Sequence, residues 1–359
     1  MIDFRYHLVS LISVFLALAV GIALGAGPLK ESIGDTLTGQ VDQLRSEKDD
    51  LRTQLDASAA DLAASDSYVA AAGPQLVEGT LTDRRVAVIS LGEVDGDALA
   101  GVQEQLTTAG ASVTALVTLN DDWSSADLRS FRQALVANLL DYLDPQPASD
   151  ATVDTSVAEA LVQGLTGADP ANPDQLSTDA STLLSLLNSG DTPLVTYGDG
   201  ITTPADAIVL VAPTVVPVED TSDATPDADQ AQADLDAQIA LAEVAQHRSE
   251  GAVVVDGPPV DGTVVAAIRA DDDASGSVTT VSGADTIAGR VSVPLALNAR
   301  IGGTNGHYGI GDDLTVLPTA VVLPPVDRTA AGAATTDGTD GAAADGATDS
   351  QTGDAGTEG

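Results

Sequence analysis

From Leu8 to Leu29 the chain reads LVSLISVFLALAVGIALGAGPL, without an ionisable side chain and with only Ser10 and Ser13 as polar interruptions. At ~1.5 Å per residue, roughly 22 residues make a helix of about 33 Å, which matches the ~30 Å hydrocarbon core of a bilayer. A secretory signal has a shorter apolar region, about 7–15 residues, behind a basic head. Here the head is MIDFRYH, in which Asp3 opposes Arg5. The run therefore reads as a retained anchor, and the small residues of LGAGP leave cleavage after Ala26 as the alternative. Basic residues near the span are few on both sides, so the exported character of the remaining chain decides the orientation: N-terminus in the cytoplasm, the rest outside. Ala17, Gly21 and Gly25 fall four residues apart, a small-xxx-small ridge along which membrane helices approach closely. Ordinary membrane-helix composition gives the same letters, since glycine is common in such helices.

Past the anchor the periodicity changes. Leu37, Val41, Leu44, Lys48, Leu51, Leu55 and Leu62 alternate at four and three residues, with Ser58 filling the remaining step. Such spacing over about three and a half heptads reads as a coiled coil joining copies of the chain, with Lys48 as a polar position that fixes register. The competing reading is a single amphipathic helix packed on its own domain. Fully helical, residues 34–70 would reach about 55 Å.

The chain carries 54 acidic against 14 basic residues, for a formal net charge of -40. No lysine or arginine lies between Arg132 and Arg248. A phosphate-binding footprint is thereby excluded, and with it nucleic acid as a partner. The excess of Asp is first of all a matter of solubility. The chain has no cysteine, so no disulfide framework exists, although this does not exclude an exported location.

Gly73 and Pro74 predict a break in the helix, and a globular domain starts there. RRVAVISL (84–91) reads as a strand, DGDALAGVQEQLTTAG (95–110) as a helix and ASVTALVTL (111–119) as a strand, together a βαβ unit. Helical patterns follow at DLRSFRQALVANLLDYL, VDTSVAEALVQGL and DQLSTDASTLLSLLNSG, then strands at PLVTYG and DAIVLVAP, a helix from 227 to 251, and a strand at AVVVDG. GTVVAAIRAD, a strand-like SVTTVSG and a helix from about Asp285 to Arg300 complete the rhythm. The fold class is α/β: a single N-terminal transmembrane helix, a short coiled coil, then a doubly wound, Rossmann-like, mostly parallel domain. The expected boundaries are 1–7 for a short cytoplasmic head, 8–29 for the anchor, 30–72 for the coiled coil and 75–328 for the α/β domain. The stretch 329–359 lacks periodicity, basic residues and large apolar side chains, and reads as a disordered acidic tail.

The chemistry-bearing motifs are largely absent. SLGEVDGDAL lacks the G-x-G-x-x-G of a dinucleotide loop, and no Walker loop, H-E-x-x-H or nucleophile elbow occurs. A Ser-His-Asp site would need His247 or His307 to find partners far away in sequence. The expectation is no enzyme and no evident cofactor. DDDASGS begins like a Ca²⁺ loop, but Ser282 stands where the bidentate Glu belongs, which favours a turn with solvated carboxylates. GGTNGHYGIGDD (302–313) reads as a glycine-rich turn around His307 and Tyr308, with a metal rim as the alternative.

MIDFRYHLVSLISVFLALAVGIALGAGPL resembles the N-terminal signature of the actinobacterial copper transport protein B family (MctB), and the coiled-coil stretch, the α/β rhythm and GHYGIGDDLTVLP are similar to that family as well. The resemblance covers residues 1 to about 325. It implies copper transport or efflux and copper homeostasis at the cell envelope, in a family also described as outer membrane. It further implies, for one branch, an association with cell division and envelope integrity through a membrane partner, and the alternative reading is a single-pass envelope scaffold of that kind with no direct metal transport. Copper enters by this resemblance alone, and the resemblance brings no set of metal ligands. The residues themselves offer copper little: Cu(I) favours thiolates and thioethers, and the chain has no cysteine and only Met1. His247, His307 and carboxylates remain as metal candidates and suit Cu(II) better. The chain lacks the repeated alternating segments of an outer-membrane barrel, and one helix per chain encloses a pathway only if several chains assemble.

Overall fold

The computed structural model describes residues 4–26, 28–198, 200–215 and 228–330. The expected tail therefore lies, from 331 onward, outside the described residues. The chain divides between Tyr68 and Val69 into two units. In the first, α1 (Phe4–Ala26) carries the apolar run, and α2 (Pro28–Val77) begins, to end in the second unit.

The predicted break at Gly73 and Pro74 is a point of difference, because α2 continues through Pro74 to Val77. A proline removes one donor from the ladder without forcing a stop when surrounding packing holds the turn. That packing is close: a Cβ on Gly73 would sit 2.7 Å from Val291 Cγ2. The Pro74 carbonyl accepts from Glu78 N at 3.0 Å.

A seven-stranded sheet forms the centre of the second unit, in the order β5-β2-β1-β6-β7-β8-β9. Its strands are β1 (Arg85–Ser90), β2 (Ser112–Leu119), β5 (Val195–Tyr197), β6 (Ala207–Val211), β7 (Ala252–Asp256), β8 (Thr279–Ser282) and β9 (His307–Tyr308). All neighbours pair in parallel except β5, which lies antiparallel along the edge of β2. A separate hairpin, β3 (Ala168–Asp169) with β4 (Asn172–Leu176), is an addition that the sequence pattern did not announce.

The apolar strands are apolar on both sides because both faces are covered. Ile89, Leu210 and Val254 face one core, with the helices α4 (Arg129–Leu139), α5 (Val153–Thr166), α6 (Thr178–Leu187), α7 (Ala228–Arg248) and α8 (Val264–Ala270). Val88, Val209 and Val253 face the other, with α3 (Gly96–Thr108), α10 (Ile287–Ile301) and Val77 of α2. Side-chain caps start the helices: Asp95 for α3, Thr152 for α5, Ser177 for α6, Thr263 for α8 and Thr286 for α10. Each accepts from orphan N–H groups of the first turn.

DDDASGS forms the short helix α9 (Asp272–Ser277), not an open turn. Asp271 Oδ1 accepts from Asp273 N at 3.0 Å and Ala274 N at 2.9 Å, so the carboxylate that a Ca²⁺ loop would use caps this helix.

The C-terminal segment straps the ends at which the central strands β1, β6 and β7 begin. Asn298, fully buried, donates from Nδ2 to Thr80 O at 2.7 Å and Val321 O at 3.0 Å, while its Oδ1 accepts from Val321 N at 2.7 Å. Arg84 pairs with Glu250 at 2.6 Å and donates to Pro324 O, and Arg328 pairs with Asp206 at 2.6 Å.

Candidate functional site

Five features carry functional potential, and they arise from different elements. The first is α1, whose stretch Phe4–Gly25 has a mean hydropathy of 2.6 and is uncovered throughout; it is the one helix among the described residues that is long and apolar enough to cross a membrane. A side chain at Gly21 or Gly25 would meet nothing within 4 Å, so this face is open.

The second is the heptad seam on α2. Leu37, Val41, Leu44, Leu51, Leu55 and Leu62 are 43–68% exposed, and Lys48 is exposed with them. A row of large apolar side chains left in water is the pattern of an interaction face.

The third is the crevice at the carboxyl edge of the sheet. The chain runs from β1 outward to β2 and later returns to β6 on the other side of β1, which makes this the switch point where open α/β sheets bind ligands. A cavity of about 400 Å³ opens there, lined by Gly92, Asn120, Trp123, Ser124, Gln230 and Asp234 among others. Its polar groups are largely engaged with one another. Ser124 Oγ and Gln230 Nε2 both donate to Asp234 Oδ1 at 2.6 Å, and Asn120 Nδ2 donates to Pro193 O at 2.6 Å. The arrangement ties the loop after β2 to α7.

The fourth is the pair of histidines. His307, on β9, has both ring nitrogens occupied: Nε2 is hydrogen-bonded to Ser275 Oγ at 3.0 Å and Nδ1 to Thr280 Oγ1 at 2.8 Å. Burial, followed by the charge of Arg269, pushes its pKa down and so favours the neutral ring. His247 lies exposed at the end of α7, next to Arg248, which pairs with Glu159. The two histidines are not brought together, and among the described residues no three His, Cys, Asp or Glu side chains form a group able to hold a metal. Among the described residues, the donors therefore do not fit a resident copper site.

The fifth, Asp256, is not evident from motif reasoning. It ends β7, is fully buried, and neither carboxylate oxygen has a hydrogen-bond partner. Burial raises its pKa to about 6, and the nearby hydroxyls of Thr263 and Ser282 offset only part of that penalty. The sequence signal was available: AVVVD closes a wholly apolar strand with a charge.

Over residues 1–318 the chain matches the family described as "Copper transport outer membrane protein, MctB". It is 31% identical over 316 residues to "Copper transporter MctB" of Mycobacterium tuberculosis, covering 87% of this chain and 97% of the relative. The protein of the same name from Mycobacterium bovis gives the same figures. That of Mycobacterium leprae is 31% identical over 329 residues, covering 88% of this chain and 98% of the relative.

Proposed function

The chain belongs to the MctB family, and on that premise we propose that it is a membrane-held component of copper transport at the cell envelope, acting as an oligomer. The observation that carries this reading is the match itself, which spans α1, α2 and the sheet domain together and reaches relatives named copper transporters at 31% identity. The uncovered apolar helix supports a membrane location, and the proposal adds to it an N-terminus in the cytoplasm and a sheet domain outside. The exposed seam supports association between copies.

Copper is on this reading a substrate passing through an assembly, not an ion stored in the domain. His307 is closed off by two hydroxyls, and His247 belongs to no group of three metal-ligating side chains among the described residues. One apolar helix cannot enclose a path, because hydrocarbon satisfies no polar group. Several copies packed along Ala17, Gly21 and Gly25, or one copy packed against a membrane protein partner, can do so.

The test is cellular copper content in a strain lacking the gene and complemented with the wild-type chain or with a Gly21→Leu/Gly25→Leu variant. Excess copper in the deletion strain, restored to normal by the wild-type chain and not by the variant, is the expected result. Unchanged copper content and unchanged copper tolerance on deletion would overturn the proposal.

A further inference from the structure

We propose that the apolar groove beside the end of α2 is the place where a second copy of this chain docks, as the continuation of the seam into the sheet domain. The inference rests on reading residues 37–62 as a coiled coil between copies. Counted on from Leu62 in steps of seven, the heptad reaches Val69 and Leu76, and both belong to α2.

These two side chains line a groove of about 330 Å³ together with Pro259, Ile310, Val316 and Leu317. Leu76 is 48% exposed, Ile310 68%, Val316 66% and Leu317 46%. A small ligand in the groove would leave these rim residues in water, whereas a helix laid along it would cover them. Asp285 is the one ionisable side chain in the lining. In a chain with a net charge of -40, like-charge repulsion opposes the approach of two copies across most surfaces. A nearly uncharged apolar groove that continues the register of an exposed apolar seam is where that approach is least opposed. The second copy's Leu76 would lie against Ile310 and Leu317.

The absence of native cysteine makes the test direct. Two differently tagged full-length chains, one carrying Leu76→Cys and the other Ile310→Cys, are co-expressed and treated in membranes with a short bismaleimide. A parallel pair carries Leu51→Cys in both chains. Each chain then has a single thiol, so a product carrying both tags joins two copies. The expected result is a cross-linked dimer in both experiments, with the Leu76–Ile310 product falling at least five-fold when Val316→Asp and Leu317→Asp are added to the Ile310→Cys chain. A Leu51 product without a Leu76–Ile310 product overturns the groove assignment and leaves the coiled coil standing. Absence of both products overturns both. A Leu76–Ile310 product indifferent to the Asp substitutions also refutes docking in the groove.

Discussion

Asp256 offers the sharpest quantitative check on the structure. Its carboxyl holds a proton to about pH 6 in the fold, against an ordinary value of 3.8. Between these two values the folded chain binds more protons than the unfolded chain, so stability falls as the pH rises through this window and levels off above it. At ~1.4 kcal/mol per pH unit, the ionised form of this one group lowers stability by about 3 kcal/mol at neutral pH. Asp256→Asn keeps the shape and removes the titration. The variant should match the wild type, apart from a constant offset, below pH 4, and should gain on it progressively to about 3 kcal/mol above pH 6.5. Trp123, the one tryptophan of the chain, is 3% exposed and lies in the same domain. Its fluorescence therefore follows denaturant unfolding of the detergent-solubilised protein, and the linear extrapolation gives stability at each pH. Other carboxylates titrate in both proteins and cancel in the difference. A difference curve that is flat between pH 4 and pH 7, or that favours the wild type at high pH, would refute the assignment of a buried, unpartnered carboxyl.

Asn298→Ala should lower stability by about 1–3 kcal/mol, measured by the same unfolding, because it removes the partner of three part-buried backbone groups at Thr80 and Val321. In Gly289→Ala the new Cβ would overlap the Gly283 carbonyl, a backbone contact that cannot relax cheaply; a loss of about 1–3 kcal/mol is expected, read as a lower melting temperature. Leu44→Ser with Leu51→Ser should abolish self-association of the full-length protein in analytical ultracentrifugation while leaving the unfolding of the sheet domain unchanged; an unaltered sedimentation profile would count against the seam. Calorimetric titration with Cu(II) should give the same isotherm for the wild type and His307→Ala, since both ring nitrogens are already occupied; a stoichiometric site lost in the variant would contradict the geometry.

The sheet was legible where burial on both faces forces continuous apolar runs, as in VAVIS, AIVLV and AVVV. It was less legible where local letters and tertiary context disagree. Val264 and Val265 give GTVVAAIRAD a β-branched start, yet Thr263 caps it and the segment is helical, because packing on α7 and β7 overrides a weak intrinsic preference. Pro74 marked a stop that close packing of Gly73 on Val291 does not require. NPDQL has no apolar alternation, so its pairing as β4 leaves no trace in pattern. The histidines show the limit for sites: the partners of His307 lie 27 and 32 residues away in sequence, at Thr280 and Ser275. Periodicity, by contrast, carried the two helices α1 and α2, since a helix needs no distant partner to leave its pattern in the sequence.

The strap held by Asn298 and Arg84 bears on biogenesis. Thr80 and Arg84 enter the growing chain early, but the groups that bind them, Asn298 and the Pro324 carbonyl, arrive 218 and 240 residues later. The closing edge of the domain thus stays unlatched during nearly all of synthesis. Termination before residue 320 would release a domain whose first strand has no clasp, a natural substrate for proteolytic surveillance.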